Sequence, residues 1–546
     1  MFTLVPQLLA FAHRRLLAFP SHHTLSPATN MALGRFPPEL LSSILQFLDS
    51  PHDLLSLIIA SSPCQAVFSN APTLFLTSVL QNAVEPSAMP HALAAFHLTG
   101  TTSPHSASAD RVIDEYFGKC SFKLPEGRQG LSEFCQLHGR ISFLIDDYAA
   151  RAMDTLGVGS PTAPVLPLSS TEKARFQRAF YRYELFCLLF PATDWSDGPS
   201  DPVPIAEAQF RQFLAHLKVW EVEEMSCVHL YYVTLVRGFV DHIEDQLVAA
   251  ALSVAIDSSQ YRGSATHDSS RRQRQPHSAS DDAPSDWELS SEGSNSAADY
   301  PIYTMPTETS VDDEHTASFD FLAFSSLLLF AKDSREDAND YVGYFASFGS
   351  LAVYQLSLSD EDRRRSMLRK FGYPSRVFLP QAIDAARQDA FAGMNPAQIQ
   401  AHIAPALART VNDDSSSCVN SGLEVFELLK SSYPVPFRLG SSRSFLRQRA
   451  YVFWDSARIY QNDEVTRNIR EAASPGTRAA RQLFDRRRRL SVEDRLEGIR
   501  VPRADMRRLE REFAPRKEYA ERMYRVMGWR ELWDLELDAM NDEDGQ

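Results

Sequence analysis

The chain has 546 residues and carries 55 Lys plus Arg against 70 Asp plus Glu, a net charge of −15, with 44% apolar residues. That apolar content is ample for a large buried core, the length allows three or four domains at roughly 150 residues each, and the acidic balance argues against a protein that wraps nucleic acid with its whole surface. Six cysteines, at 64, 120, 135, 187, 227 and 418, form no Cys-x-x-Cys pair, which excludes a zinc ribbon and a disulfide framework and suits a reducing compartment.

Residues 1–34 read as an N-terminal extension. No Asp or Glu precedes Glu39, and Phe2, Leu4, Leu8, Leu9, Phe11, Leu16 and Leu17 accompany Arg14 and Arg15. An acid-free amphipathic start of this kind is similar to a mitochondrial presequence and more weakly to a secretory one. The reading adopted is a non-functional extension, with Met31 as an alternative start, on a cytoplasmic or nuclear protein. No run of about 18 uncharged apolar residues marks a membrane span. The nearest, Val228 to Ile243, carries Arg237 and Asp241 and reads as a core helix.

Residues 35–98 form a dense apolar helical segment that opens on Phe36-Pro-Pro-Glu-Leu-Leu-Ser-Ser-Ile-Leu-Gln-Phe-Leu-Asp-Ser. Pro37 and Pro38 suit a helix start, where a missing N–H costs nothing, and Glu39 suits the positive end of the helix dipole. At about 100° per residue, Leu40, Leu41, Ile44, Leu45, Phe47 and Leu48 fall within an arc of roughly 160°. A second helix starts at Pro51 or Asp53 and runs through Leu54, Leu55, Leu57, Ile58 and Ile59. It is apolar nearly all round and so needs cover on both sides. A third short helix spans Pro63 to Phe68, and a tail Ala71-Pro-Thr-Leu-Phe75 follows.

These residues resemble the F-box, a three-helix module, in its fungal type, over about residues 34–78. Phe36, Pro38, Glu39, Leu40, Leu41, Ile44, Leu45, Leu48, Asp53, Leu54, Leu55, Leu57, Val67, Pro72, Leu74 and Phe75 match its pattern by position and type. Phe36 replaces the usual opening Leu, while Cys64 and Phe75 stand at aromatic positions where Trp is usual. The resemblance implies binding to the Skp adaptor of a Skp–cullin–F-box ubiquitin ligase. The implied contact set is Phe36, Pro37, Pro38, Glu39, Leu40, Leu41, Ile44, Leu45, Leu48, Leu54, Leu55 and Ile58.

Beyond the F-box-like module (35–78), a Ser/Thr-rich loop at 99–110 leads into a helical body. Its first half, 111–252, is interrupted at 157–171 and 191–204. Residues 253–318 are low-complexity, rich in Ser, Asp, Arg and Gln, and read as a disordered insertion. The second half, 319–540, opens with an apolar helix at 319–331 and breaks again at 411–421. The fold class is therefore mainly α, and no repeat of constant period occurs.

No Gly-x-x-x-x-Gly-Lys, His-Glu-x-x-His or Gly-x-Ser-x-Gly string is present, so the chain reads as a non-enzyme with no cofactor and no metal. Asp241-His-Ile-Glu-Asp245 reads as a solvated helix face. The aromatic run Arg449-Ala-Tyr-Val-Phe-Trp-Asp-Ser-Ala-Arg458 reads as core more readily than as a ligand pocket. Residues 486–530 hold fifteen Lys plus Arg and eight Asp plus Glu, the mixture of a solvated helix laced with ion pairs. The expectation is a substrate-recruiting subunit whose target is a protein bound by the body, through anchors in 445–460 and the basic stretch. On that expectation a chain beginning near Arg111 keeps its partners and loses the Skp adaptor. The alternative is a non-catalytic scaffold or regulatory interaction protein without ubiquitin transfer.

Overall fold

The computed structural model describes residues 36–99, 106–118, 122–156, 167–190, 209–217, 219–264, 342–343, 345–368, 379, 446–455, 458 and 503–513. Among them there is no strand, and the mainly α expectation holds. The chain divides into two compact units, the larger comprising Met1–Ile243, Leu329–Leu490 and Pro515–Gln546, the smaller Glu244–Leu328 and Ser491–Ala514.

The larger unit begins with α1 (Pro38–Phe47), α2 (Pro51–Ala60), α3 (Ser62–Asn70) and α4 (Pro72–Ala83). Each has Pro in its first turn, and Ser50 and Ser61 cap α2 and α3 by accepting from the Asp53 and Cys64 N–H groups, the arrangement that punctuated sequence favours. The first three match the expected module. The Ala71–Phe75 tail forms the N-cap and first turn of α4. α1 packs on α3 and α4, and α2 packs on α3, α4 and the long α7.

α5 (Met89–Thr99) and α6 (Ser106–Phe117) follow, then α7 (Arg128–Leu156), α8 (Ser170–Leu189) and α9 (Val219–Ser264). α10 (Gly349–Leu358) and α11 (Glu361–Leu368) come after the insertion. α5, α7 and α10 all pack against α8, and α4 packs against α7. One continuous apolar core runs from Leu41 to Trp454. α4 and α5 are therefore cover for the body, and a chain cut at Arg111 would strip α7 and α8 of it. The expected separability of body and module has no support in this packing.

α8 is the centre. A capping box at Ser169 and Glu172 opens it, and residues 179–187 are buried without interruption. α9 continues through Ser264, so the insertion read from residue 253 begins inside a helix; residues 265–318 and the helix expected at 319–331 lie outside the described residues, as does the break at 411–421. In the smaller unit, the end of α9 buries Leu247, Val248 and Ala251, and α12 (Arg503–Phe513) buries Leu509 while exposing Arg507, Arg508 and Arg511.

Glu184 of α8 accepts from the Ser350 N–H at 2.6 Å, so a buried carboxylate seats on the positive end of α10. Burial pushes this carboxyl's pKa up, while the Ser350 bond and Arg140 oppose the rise. Gly349, at φ +78°, makes the approach feasible: a Cβ there would lie 2.7 Å from Glu184 Oε2. Gly349→Ala is expected to cost at least about 1–2 kcal/mol, from the left-handed backbone alone. Urea unfolding of the full chain measures it.

Candidate functional site

On α1 the apolar arc divides. Leu41 and Leu45 face the core at 2% and 0% exposure, whereas Leu40 stands 44% and Phe47 84% exposed. At about 100° per residue Leu40, Ile44 and Phe47 form one outward stripe, and Leu41, Leu45 and Leu48 the inward one. α2 is covered far less than its composition demands: only Leu54 is buried, and Ile59 is 51% exposed. Phe36 and Leu74 complete the set. Of the seven exposed large apolar side chains among the described residues, five lie between residues 36 and 74. Scattered single apolar residues need no explanation, but this module carries most of the exposed large apolar side chains among the described residues.

The expected contact residues therefore separate into two groups. Phe36, Pro37, Pro38, Glu39 and Leu40 are exposed, and Ile44, Leu48, Leu55 and Ile58 are half-buried. Leu41, Leu45 and Leu54 are buried in the module's own core and offer no side chain to a partner; they shape the surface from beneath. Helical periodicity found the arc but not which half faces inward. Phe47 and Ile59, the most exposed of all, are absent from the expected set because it followed the motif rather than the accessible side.

The surface is also electrically one-sided. Residues 36–99 contain Glu39, Asp49, Asp53 and Glu85 and no Lys or Arg. Glu39, Asp49 and Asp53 are exposed, bracketing α1 and the start of α2 with negative charge.

A second concentration of polar groups lies inside the body. Glu172 accepts from Arg458 Nε and Nη2 at 2.7 and 2.6 Å and from the Asp455 N–H at 3.0 Å. Arg175 donates to Asp455 at 2.8 Å and to the Phe453 carbonyl at 3.0 Å. Arg182 pairs with Glu221 at 2.5 Å and Glu224 at 3.0 Å. Arg447 grips Glu223 with two bonds of 2.8 and 2.7 Å, Tyr451 adds a third at 3.0 Å, and the Tyr148 hydroxyl donates to the Arg447 carbonyl. Burial works against the Arg447 charge, and the Glu223 carboxylate overcomes it and raises the pKa. Burial also pushes the Glu224 carboxyl up, opposed by Arg178 and Arg182. These carboxylates are engaged by guanidinium or backbone N–H groups, the chemistry of a clamp. Among the described residues no group of three or more His, Cys, Asp or Glu is placed to hold a metal.

Tyr451, Phe453 and Trp454 are fully buried and Arg447 and Arg449 nearly so. The aromatic run is core, as read, and those side chains are not available as anchors for a target. At 241–245, His242 and Asp245 are exposed while Ile243 is buried, a solvated face. Of the basic stretch, only α12 is described. No described helix is long and apolar enough to cross a membrane.

No family model, curated protein or solved structure matches this chain.

Gln177 ties the exposed module to the body. Its amide nitrogen donates to the Ala83 carbonyl at 2.9 Å and its oxygen accepts from the Glu85 N–H at 2.8 Å, closing the end of α4. Gln177→Leu leaves both backbone groups unpaired in a buried place. The expected cost is about 1–3 kcal/mol, with faster hydrogen exchange at Glu85.

Two buried imidazoles set an acid limit on the body. His138 is bonded to Tyr181 at 2.8 Å and Ser142 at 3.1 Å, and His229 to Tyr183 at 2.9 Å. Burial above all, then Lys173 for His138 and Arg447 for His229, lowers each pKa to about 3 from 6.5. Both rings stay neutral in the folded chain while the unfolded chain takes up protons near 6.5. Their contribution is complete above that pH and drains as pH falls toward 3, by up to about 1.4 kcal/mol per pH unit for each ring. His138→Gln is expected to remove about one proton from the slope of stability against pH between 6 and 4, read from urea midpoints.

Proposed function

We propose that the chain is the substrate-recruiting subunit of a Skp–cullin–F-box type ubiquitin ligase, holding the Skp adaptor on α1 and α2. The observation that carries this reading is the coincidence of the F-box-like pattern with the exposed apolar side chains Phe36, Leu40, Phe47, Ile59 and Leu74. An amphipathic helix pair whose outer stripe stays uncovered needs a partner with an apolar groove. Leu40, Ile44 and Phe47 then make the contact on α1, Ile59 and Leu55 on α2, with Pro37 and Pro38 setting the entry of the chain. The cullin is reached through the adaptor, and a protein target is held elsewhere on the body.

One observation favours the alternative of a scaffold without ubiquitin transfer. The module shares its core with the body, so α1 and α2 serve equally well as one face of a rigid helical platform. The two readings part on one test. Leu40→Asp combined with Ile59→Asp changes two exposed positions and is expected to leave circular dichroism unaltered. Capture of the Skp adaptor by the full chain is expected to fall about 100-fold or more, the loss of two apolar anchors. Absence of adaptor capture by the unaltered chain would leave the scaffold reading, and unchanged capture by the folded variant would overturn the assignment of the surface.

A further inference from the structure

We propose that the outward stripe of α1 seats an amphipathic helix of a partner protein whose apolar side is bordered by Lys or Arg. The inference rests on the surface assigned above and names the chemistry of what that surface takes. Three observations meet on α1.

The first is spacing. Leu40, Ile44 and Phe47 follow one another at intervals of four and three residues, so they form a ridge along about 10 Å of the helix. Phe47 is the most exposed large apolar side chain among the described residues, while Leu41 and Leu45 hold the other side of α1 in the core. Phe36, also exposed, extends the apolar set just before the first turn. A ridge of this spacing packs against a second helix that carries its own apolar anchors at i, i+4 and i+7. The second observation is order at the helix end. Phe47 is the last residue of α1, where carbonyls lack intrahelical partners and ends ordinarily fray. Here the Asn82 amide of α4 donates to the Gln46 and Leu48 carbonyls at 2.7 and 3.0 Å. Those bonds fix the turn that carries Phe47, so a partner covers a ring already held in place and little backbone order has to be bought on docking.

The third is charge. Glu39 lies in the first turn of α1, Asp49 just past its end and Asp53 in the first turn of α2, and all three are exposed. Residues 36–99 hold no Lys or Arg to neutralise them. At about 100° per residue Glu39 borders the ridge on the side away from Leu41. A second copy of this face would set three carboxylates against the same three, and like charges across an interface oppose docking. The anionic cytoplasmic leaflet of a membrane meets the same repulsion. A helix with Lys or Arg beside its apolar stripe finds both its anchors and its counter-charges. Glu39 and Asp49 are about 15 Å apart along the axis, which sets the spacing of the two cations about ten residues apart on the incoming helix.

The test titrates two fluorescein-labelled probes into the full chain: a peptide of leucine and lysine patterned for one apolar helical side, and its counterpart with glutamate at every lysine. The lysine peptide is expected to bind with a dissociation constant on the order of 50 μM, and the glutamate peptide at least about tenfold more weakly. Raising NaCl from about 50 to 500 mM is expected to weaken the lysine peptide about fivefold. Leu40→Asp with Phe47→Asp separates seating from mere attraction to a chain of net charge −15. Added negative charge tightens a purely electrostatic attachment, whereas seating on the ridge falls about tenfold or more, with circular dichroism unchanged. Leu40→Gln with Phe47→Gln gives the same reading if the charged pair disturbs the fold. Glu39→Gln with Asp49→Asn is expected to weaken the lysine peptide about fivefold and to flatten its salt dependence. Equal binding of the two peptides, or binding indifferent to the changes at Leu40 and Phe47, would overturn the proposal. So would sedimentation showing that the face pairs with a second copy, or its recovery on phosphatidylcholine vesicles. Skp adaptor capture is measured alongside. Adaptor captured while the lysine peptide fails to bind overturns this inference and leaves the adaptor reading standing. Peptide seated on the ridge with no adaptor captured supports the inference and overturns the adaptor reading alone.

Discussion

The burial of α8 is the constraint on which the rest of the body depends. A helix enclosed on every side is ordinarily apolar on every side, but α8 brings Glu172, Arg175, Gln177, Arg182 and Glu184 into the interior. Each needs a counter-group delivered from elsewhere in the chain. Glu172 and Arg175 take theirs from residues 453–458, Arg182 from the start of α9, Glu184 from the first turn of α10, and Gln177 from the end of α4. Leaving one member of such a buried pair alone costs about 3–5 kcal/mol, a large share of the total stability of a domain. The helices around α8 are therefore positioned by specific polar demands as well as by apolar packing.

Those demands explain the continuous core. Segments nearly three hundred residues apart meet at Glu172 and Arg458, so the aromatic run around Trp454 is drawn into the interior, where Phe453 stacks on Phe176 at 4.2 Å. The Trp454 indole donates to the Arg449 carbonyl at 2.8 Å, and Ala450 takes a φ of 51° in the tight turn between them. A turn of that kind in a non-glycine residue is sustained by its surroundings. The same logic joins the N-terminal helices to the body: beside the Val84 N–H that α4 pairs with its own Leu80 carbonyl, Gln177 of α8 takes up the Ala83 carbonyl and the Glu85 N–H.

What the sequence discloses follows from range. Local signals were sufficient for α1 to α3: Pro at each helix start, Ser50 and Ser61 as caps, and an apolar arc on α1. The capping box that opens α8 is an equally local signal, Ser169-Ser-Thr-Glu172. Beyond that the signals end. The alternation of Arg, Glu, Tyr and Phe along 175–184 has the look of an ordinary exposed face, because nothing local says that its charges have partners across the chain. Nor does periodicity distinguish Leu41 from Leu40, since a wide apolar arc is compatible with either half facing in. Only the packing of α3 and α4 decides it, and that decision leaves Phe47 in the open.

The absence of Lys and Arg from residues 36–110 has a chemical consequence separate from its charge. Acyl transfer to protein side chains is directed mainly at primary amines, and α1 to α5 present none. Lysine-directed ubiquitin, acetyl groups or amine-reactive crosslinkers must mark this protein elsewhere, leaving the apolar face chemically silent whatever binds there. Trypsin meets the same blank stretch. From Phe36 to Arg111 it finds no site to cut, so the whole surface travels as a single fragment, intact or not at all.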